Sequence, residues 1–148
     1  RSLLQKYDLP ACCLRFEVTE SALMRDHRSA IDTMLALSEL GIQLVLDDFG
    51  TGYSSLKYLK ELPIDGIKID RSFVQDIGID SSDETIIEAM LSMANSLGMY
   101  CVAEGVETEQ QLAFFSRRQC YLIQGYLFAK PMPEQDMFAF LQQEHASH

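Results

Sequence analysis

Residues 41–70 read GIQLVLDDFGTGYSSLKYLKELPIDGIKID, and the order of residue types in this stretch sets the architecture. An apolar run over 42–47 ends in two carboxylates, Asp47 and Asp48, and a loop carrying Gly50 and Gly52 follows. A short helical segment over 55–62 is closed by Pro63, and a second apolar run over 66–70 ends in Asp70. Two short apolar runs joined by a helix form a βαβ unit, whose crossover brings the second strand back parallel to the first.

The same alternation extends outward in both directions. Upstream, 12–19 reads as a strand, followed by a helix over 26–40 with Ile31, Met34, Leu35 and Leu40 on its apolar face and Gly41 as its stop. Downstream, Ser82 or Asp83 caps a long helix carrying Ile86, Ile87, Met90, Met93, Ala94 and Leu97, which Gly98 ends. A fourth strand spans 99–104. Thr108 and Gln111 have the spacing of a capping box for a helix through Arg117. A fifth strand over 121–125 leads past Pro131 and Pro133 into a last helix with Met137, Phe138 and Leu141, and the charged tail after Gln143 is expected to fray. The count is five βα units without an internal boundary, an α/β chain with a parallel sheet.

Polar residues interrupt these strands at one end only. The first strand closes on Glu17 and Glu20, the second on Asp47 and Asp48, the third on Lys68 and Asp70, the fourth on Glu104 and Glu107, and the fifth on Gln124. The C-terminal ends of parallel strands share one face, where α/β folds place their sites. Several carboxylates with one Lys, and no placed His, Ser or Cys nucleophile, repel one another unless a cation holds them. Hard oxygen donors suit Mg²⁺ or Mn²⁺ at Glu17, Asp47 and Asp48 better than zinc. Paired ions of this kind attack phosphate esters, so phosphodiester hydrolysis is the chemistry implied. Blander roles exist: Asp48 as a turn cap, Glu20 and Glu107 as acids near helix starts, and Lys68 snorkelling to the surface or pairing with Asp70.

Composition narrows the partners. The 148 residues carry 12 Lys and Arg against 22 Asp and Glu, a net charge of −10, which excludes a surface for nucleic-acid polymers. With 47% hydrophobic and 23% charged residues the chain is globular, not disordered. Cys12, Cys13, Cys101 and Cys120 lie in apolar, strand-like contexts without metal-binding spacing, and read as buried free thiols of a reducing, cytoplasmic protein. No apolar run reaches the roughly 18 residues of a membrane span, and no signal-peptide pattern opens the chain. It begins at Arg1, directly in a helix-like segment, as a piece of a longer protein would.

Five ordered motifs carry a resemblance. They are Phe16-Glu17-Val18-Thr19-Glu20-Ser21, Leu46-Asp47-Asp48-Phe49-Gly50-Thr51-Gly52-Tyr53-Ser54-Ser55-Leu56, Ile67-Lys68-Ile69-Asp70, Ala103-Glu104-Gly105-Val106-Glu107 and Gln124-Gly125-Tyr126-Leu127-Phe128. In order and spacing the chain closely resembles the EAL-domain cyclic di-GMP phosphodiesterases of bacteria, from about residue 9 to residue 140. The resemblance implies a TIM-type (βα)8 barrel that hydrolyses cyclic di-GMP to linear pGpG with two Mg²⁺ or Mn²⁺ ions. It implies metal ligands at Glu17, Asp47 and Asp48, with Asp70 an acid of the same cluster, a general base at Glu104, and Lys68 positioning the attacking water. By the same likeness Glu20 anchors the Asp-Phe-Gly-Thr-Gly loop, linked in the family to metal binding and dimerisation, while Gln124, Glu107 and the Lys130-Pro131 stretch meet substrate.

The departures are as specific. The family's Glu-Ala-Leu signature and a metal-binding Asn precede the first motif and are absent, and five strands in 148 residues compare with eight in about 250 for a full barrel. Gln119-Cys120-Tyr121 stands where relatives more often carry Gly-Cys-Asp. The chain is therefore expected to be the C-terminal portion of a single EAL domain over 1–148, supplying the last five strands and inactive alone. Its open edges are expected to be covered by a second copy in a homodimer or by the missing upstream segment. The alternatives are a catalytically inactive module that binds cyclic di-GMP or a protein, and an open flavodoxin-like sheet.

Overall fold

The computed structural model describes residues 2–25, 27–50 and 59–146. Along them run α1 (Ser2–Lys6), β1 (Arg15–Thr19), α2 (Glu20–Arg25), α3 (His27–Glu39), β2 (Gln43–Phe49), β3 (Gly66–Ile69), α4 (Arg71–Gln75), α5 (Ser81–Ser96), β4 (Tyr100–Glu104), α6 (Glu109–Arg117), β5 (Leu122–Gln124) and α7 (Glu134–Ala146). Every strand pair is parallel, and the sheet order is the chain order, β1-β2-β3-β4-β5. A flavodoxin-like sheet would place its second strand outside its first. The unbroken order is that of consecutive staves of a barrel, which excludes the open-sheet alternative.

The two-residue period of the strands sorts side chains onto two faces. Leu44, Leu46, Ile67, Ile69 and Ala103 show no exposed surface and pack in one cluster with Val74, Ile87, Ala94 and Phe115 of the helices. Each such aliphatic side chain contributes about 1.5–3 kcal/mol on burial, so this layer fastens the helices to the outer face of the sheet. The residues between them, Glu17 beside Val45 and Lys68 beside Val102, face the other way. The central strand β3 is buried throughout, whereas β1 and β5 leave Phe16 and Leu122 exposed.

Several boundaries differ from expectation. Cys12 and Cys13 are exposed in a 3-10 turn, Ala11–Cys13, because Pro10 enters it extended and starts the turn, so β1 begins only at Arg15. Cys120 is buried and Cys101 half-buried, as a pair of inert thiols requires. The segment before 26 forms its own short helix, α2, and on α3 Met34 is buried but Leu35 is exposed. The long helix α5 is capped by Asp80, whose carboxylate accepts from Ser82 N at 2.7 Å, which places Ser82 and Asp83 inside the first turn. Ile86 of α5, Leu97 just past its end, and Met137, Phe138 and Leu141 of α7 are exposed, and α7 stays helical to Ala146 rather than fraying at Gln143. The expected capping box of α6, Thr108 with Gln111, is present. Of the helix expected over 55–62, residues 55–58 lie outside the described residues, and 59–62 run from one helical residue into a turn before Pro63. Among the described residues no helix is long and apolar enough to cross a membrane.

Candidate active site

Four neighbouring strands bring one charged side chain each to a common point. The Lys68 ammonium of β3 lies 2.8 Å from Glu17 Oε2 of β1 and 3.3 Å from Asp47 Oδ1 of β2, and it contacts Glu104 Oε1 of β4. Lys68 neither snorkels nor pairs with Asp70: its side chain is only 6% exposed and points inward among three acids. A buried ammonium is costly unless it is paired and fully hydrogen-bonded, and here three carboxylates supply that compensation. Burial pulls the Lys68 pKa down, but the hydrogen bonds to Glu104 and Glu17 and the charges of Glu104 and Asp47 outweigh it and leave it raised. The ammonium stays protonated, and the cluster keeps an excess of negative charge.

The paired acids of β2 depend on a break in the strand. The β2–β3 register shifts between Leu46 and Phe49, and Asp48 there adopts φ +56°, a left-handed value that Asp tolerates better than most residues. Regular alternation would send Asp48 towards the helices, whereas the irregularity keeps it near its neighbours. Burial, then the charges of Asp47 and Asp70, push its carboxyl above the usual range, with Lys68 opposing. Asp70 follows β3 and caps α4, accepting from Ser72 N at 2.9 Å and from the Ser72 hydroxyl. Its burial raises the pKa, but these bonds and Arg71 prevail and hold it below the ordinary value.

Glu20 opens α2 and is 6% exposed, and its two oxygens have no hydrogen-bond partner among the described residues. Of the Asp-Phe-Gly-Thr-Gly loop it is expected to anchor, 48–52, the last two residues lie outside the described residues. Glu104, Glu107, Gln124 and Pro131 share the wall of a cleft of about 390 Å³. Backbone bonds from Val106 N to Gln124 O and from Leu127 N to Val106 O, each 3.1 Å, tie the two loops that form it. Lys130 lines it as expected, and so do Arg71, Tyr126, Met132, Met137 and Phe140, the last five not singled out for it. Reading strand ends alone missed them, although Arg71 directly follows Asp70 and Tyr126 directly follows Gln124-Gly125. A larger hollow of about 620 Å³ lies at the other end of the strands, beside Tyr100, Cys101 and Tyr121, away from these acids.

Among the described residues no three His, Cys, Asp or Glu side chains enclose a ready-made metal site, and the Lys68 ammonium holds the centre of the cluster. The donor set nevertheless suits a hard divalent ion. It is all oxygen, it is negative in excess, and the charges of Asp47 and Asp70 that, after burial, raise Asp48 are of the kind a cation offsets.

Comparison with known proteins agrees with this layout. The chain is 50% identical over 141 residues to the cyclic di-GMP phosphodiesterase NbdA of Pseudomonas aeruginosa, covering 95% of this chain and 18% of that protein. Its fold matches the c-di-GMP complex of the PaMucR phosphodiesterase with a TM-score of 0.87 at 43% identity, covering 93% of this chain and 56% of that one. It also matches a manganese and cyclic di-GMP complex of Klebsiella pneumoniae BlrP1, TM-score 0.81 at 33% identity, covering 88% of this chain and 33% of that one. The chain thus spans about a fifth of its curated relative and little more than half of the PaMucR chain. The EAL domain family matches residues 1–131. A five-stranded parallel sheet in chain order, acids at its strand ends and this match together place the chain in the EAL domain family.

Proposed function

We propose that this chain is the C-terminal portion of a domain that hydrolyses cyclic di-GMP to linear pGpG. The observation that carries the reading is the meeting of Glu17, Asp47, Lys68 and Glu104 at the C-terminal ends of four adjacent strands, beside a cleft walled by Glu107 and Gln124. Glu17, Asp47 and Asp48 are the residues to hold Mg²⁺ or Mn²⁺, with Asp70 close to them. Two such ions would supply Lewis-acid stabilisation of the phosphodiester and an acidified water. Glu104 is then the base that takes the proton of the attacking water. Lys68 orients that water and steadies charge developing on the phosphate oxygens, since it is the cation nearest Glu104. Glu107, Gln124 and Pro131 seat the nucleotide along the cleft, and Glu20 steadies the loop after β2.

Among the described residues the outer edges of β1 and β5 have no strand beside them, and unpaired edges seek partners. Further strands of a longer barrel complete them, or a second copy does. The setting is cytoplasmic, where a nucleotide second messenger acts.

The test is turnover of cyclic di-GMP by the full-length protein after chelation and after return of Mg²⁺, Mn²⁺ or Ca²⁺, with pGpG measured by chromatography. Activity is expected with Mg²⁺ and Mn²⁺ and loss with Ca²⁺, whose looser geometry misplaces the water. Full turnover in chelator would overturn the metal assignment. Binding without turnover in every metal would favour the inactive receptor, for which the ammonium at the centre of the acids is the supporting observation.

A further inference from the structure

Gln111 does more than close a capping box. It is 7% exposed, and its side chain joins two loops far apart in sequence. Its Oε1 accepts from Glu107 N at 2.8 Å and from Thr108 N at 3.0 Å, and its Nε2 donates to Val74 O at 3.1 Å. The first two bonds hold the segment that runs on from Glu104. The third holds the single-turn helix α4 that Asp70 caps from its other end. Val74 is completely buried, and its carbonyl also accepts from Asp76 N and from Ile77 N at 3.3 Å within its own turn, so the Gln111 amide adds the bond that ties this turn to the Glu107 segment.

A second contact supports the same junction. Gly105 has φ +69°, and a Cβ there would lie 2.6 Å from Arg71 Cβ, so the loop after β4 rests directly against the first residue of α4. The missing side chain brings the two loops together and the Gln111 amide locks them. On either side of this junction stand Asp70 and Arg71, and Glu104 and Glu107.

We propose that Gln111 is a positioning residue for the active site, a clasp that fixes the Asp70 turn to the Glu104–Glu107 loop and so holds the two halves of the cleft in register. The inference rests on the phosphodiesterase reading for its effect on rate, but not for the clasp itself. In Gln111→Glu a carboxylate still accepts from Glu107 N and Thr108 N, whereas the donor to Val74 is gone. Thr108→Ala removes the helix cap and leaves the clasp intact.

Two measurements on the full-length protein separate the clasp from the phosphodiesterase reading. The first is amide hydrogen exchange, which needs no turnover. Gln111→Glu is expected to speed exchange of peptides covering 70–76 and 104–108 together, by about fivefold to tenfold, while Thr108→Ala speeds only the start of α6. The second is steady-state hydrolysis of cyclic di-GMP. Gln111→Glu is expected to lower kcat/KM about 10–100-fold, the usual cost of losing an orienting partner, with Thr108→Ala changing it by less than about threefold. Gln111→Met, of similar shape and without polar atoms, serves if Gln111→Glu fails to fold, and is expected to give the same coupled loosening. Exchange confined to α6, or unchanged kcat/KM in a wild type that turns over, overturns the clasp. A wild type that shows no turnover while both segments loosen together sinks the phosphodiesterase reading and leaves the clasp standing.

Discussion

The inner face of the sheet carries a cation at each end, and the two are held by different means. At the C-terminal end Lys68 is held by three carboxylates. At the N-terminal end Arg15 lies over the Tyr100 ring, 4.9 Å from its centroid, and donates to the Gln43 side-chain oxygen at 3.3 Å. Tyr100 in turn packs its ring where Gly66 leaves room. A ring face and an amide satisfy a guanidinium without any counter-charge. The N-terminal end sets one guanidinium against uncharged groups, with the Asp65 carboxylate near Tyr100, while the C-terminal end holds more negative charge than one ammonium balances. The comparison teaches that the surplus of acid is local to one end rather than a by-product of an acidic chain.

The largest effect that would sharpen this contrast is expected from Glu104→Gln in the full-length protein. It should lower kcat on cyclic di-GMP by about 10²–10⁴-fold, as loss of a general base does, with substrate affinity by calorimetry largely retained. Lost binding with unchanged residual turnover would reassign Glu104. Next is Lys68→Met, which strands three acids around an apolar side chain. Breaking a buried pair costs about 3–5 kcal/mol; because Glu17 is 47% exposed, about 2–3 kcal/mol is expected from denaturant melts. Added Mg²⁺ should recover part of that loss. A variant as stable as wild type without metal would break the charge contrast.

At the other end the effects are steric and smaller. An added methyl in Gly66→Ala would meet the Tyr100 ring at 2.5 Å, and such overpacking costs about 1–2 kcal/mol. The rate per folded molecule is expected to stay unchanged, and a fall in kcat comparable to that of Glu104→Gln would show the two ends to be coupled. The smallest effect is that of Tyr100→Phe. The hydroxyl is buried and makes no well-formed hydrogen bond among the described residues, with the Arg15 guanidinium beside it, so removing it is expected to shift stability by no more than about 0.5 kcal/mol.

What could be read from the sequence follows from the range of each signal. Strand identity and the acids at strand ends were legible, because alternation and a terminal charge are local patterns that the two-residue period converts directly into a face. The capping box of Thr108 and Gln111 was legible for the same reason, as a spacing of three residues. The reach of Gln111 to Val74 was not, since nothing local encodes a bond across 37 positions. Helix α4, with five residues, is too short to show a helical period, so Asp70 read as the end of a strand when it is also a helix cap. The irregularity at Asp47 and Asp48 was hidden because a left-handed Asp leaves no mark in residue type. Lys68 left snorkelling or pairing with Asp70 open beside a role in the site, and only the register of β1 to β4 decides that it faces Glu17, Asp47 and Glu104.

Strand order in chain order also governs how such a sheet can be assembled in time. Each strand pairs only with the strands next to it along the chain, and the widest gap to be closed is the one that sets Ile67 beside Cys101. Loop-closure entropy grows only slowly with length, so the four closures cost similar amounts and none must wait for a distant terminus. Contacts of this modest sequence separation favour fast, stepwise growth, each βα unit docking onto an edge already formed. A polypeptide emerging from the ribosome can therefore bury the outer core of β1 to β3 before β5 has been synthesised.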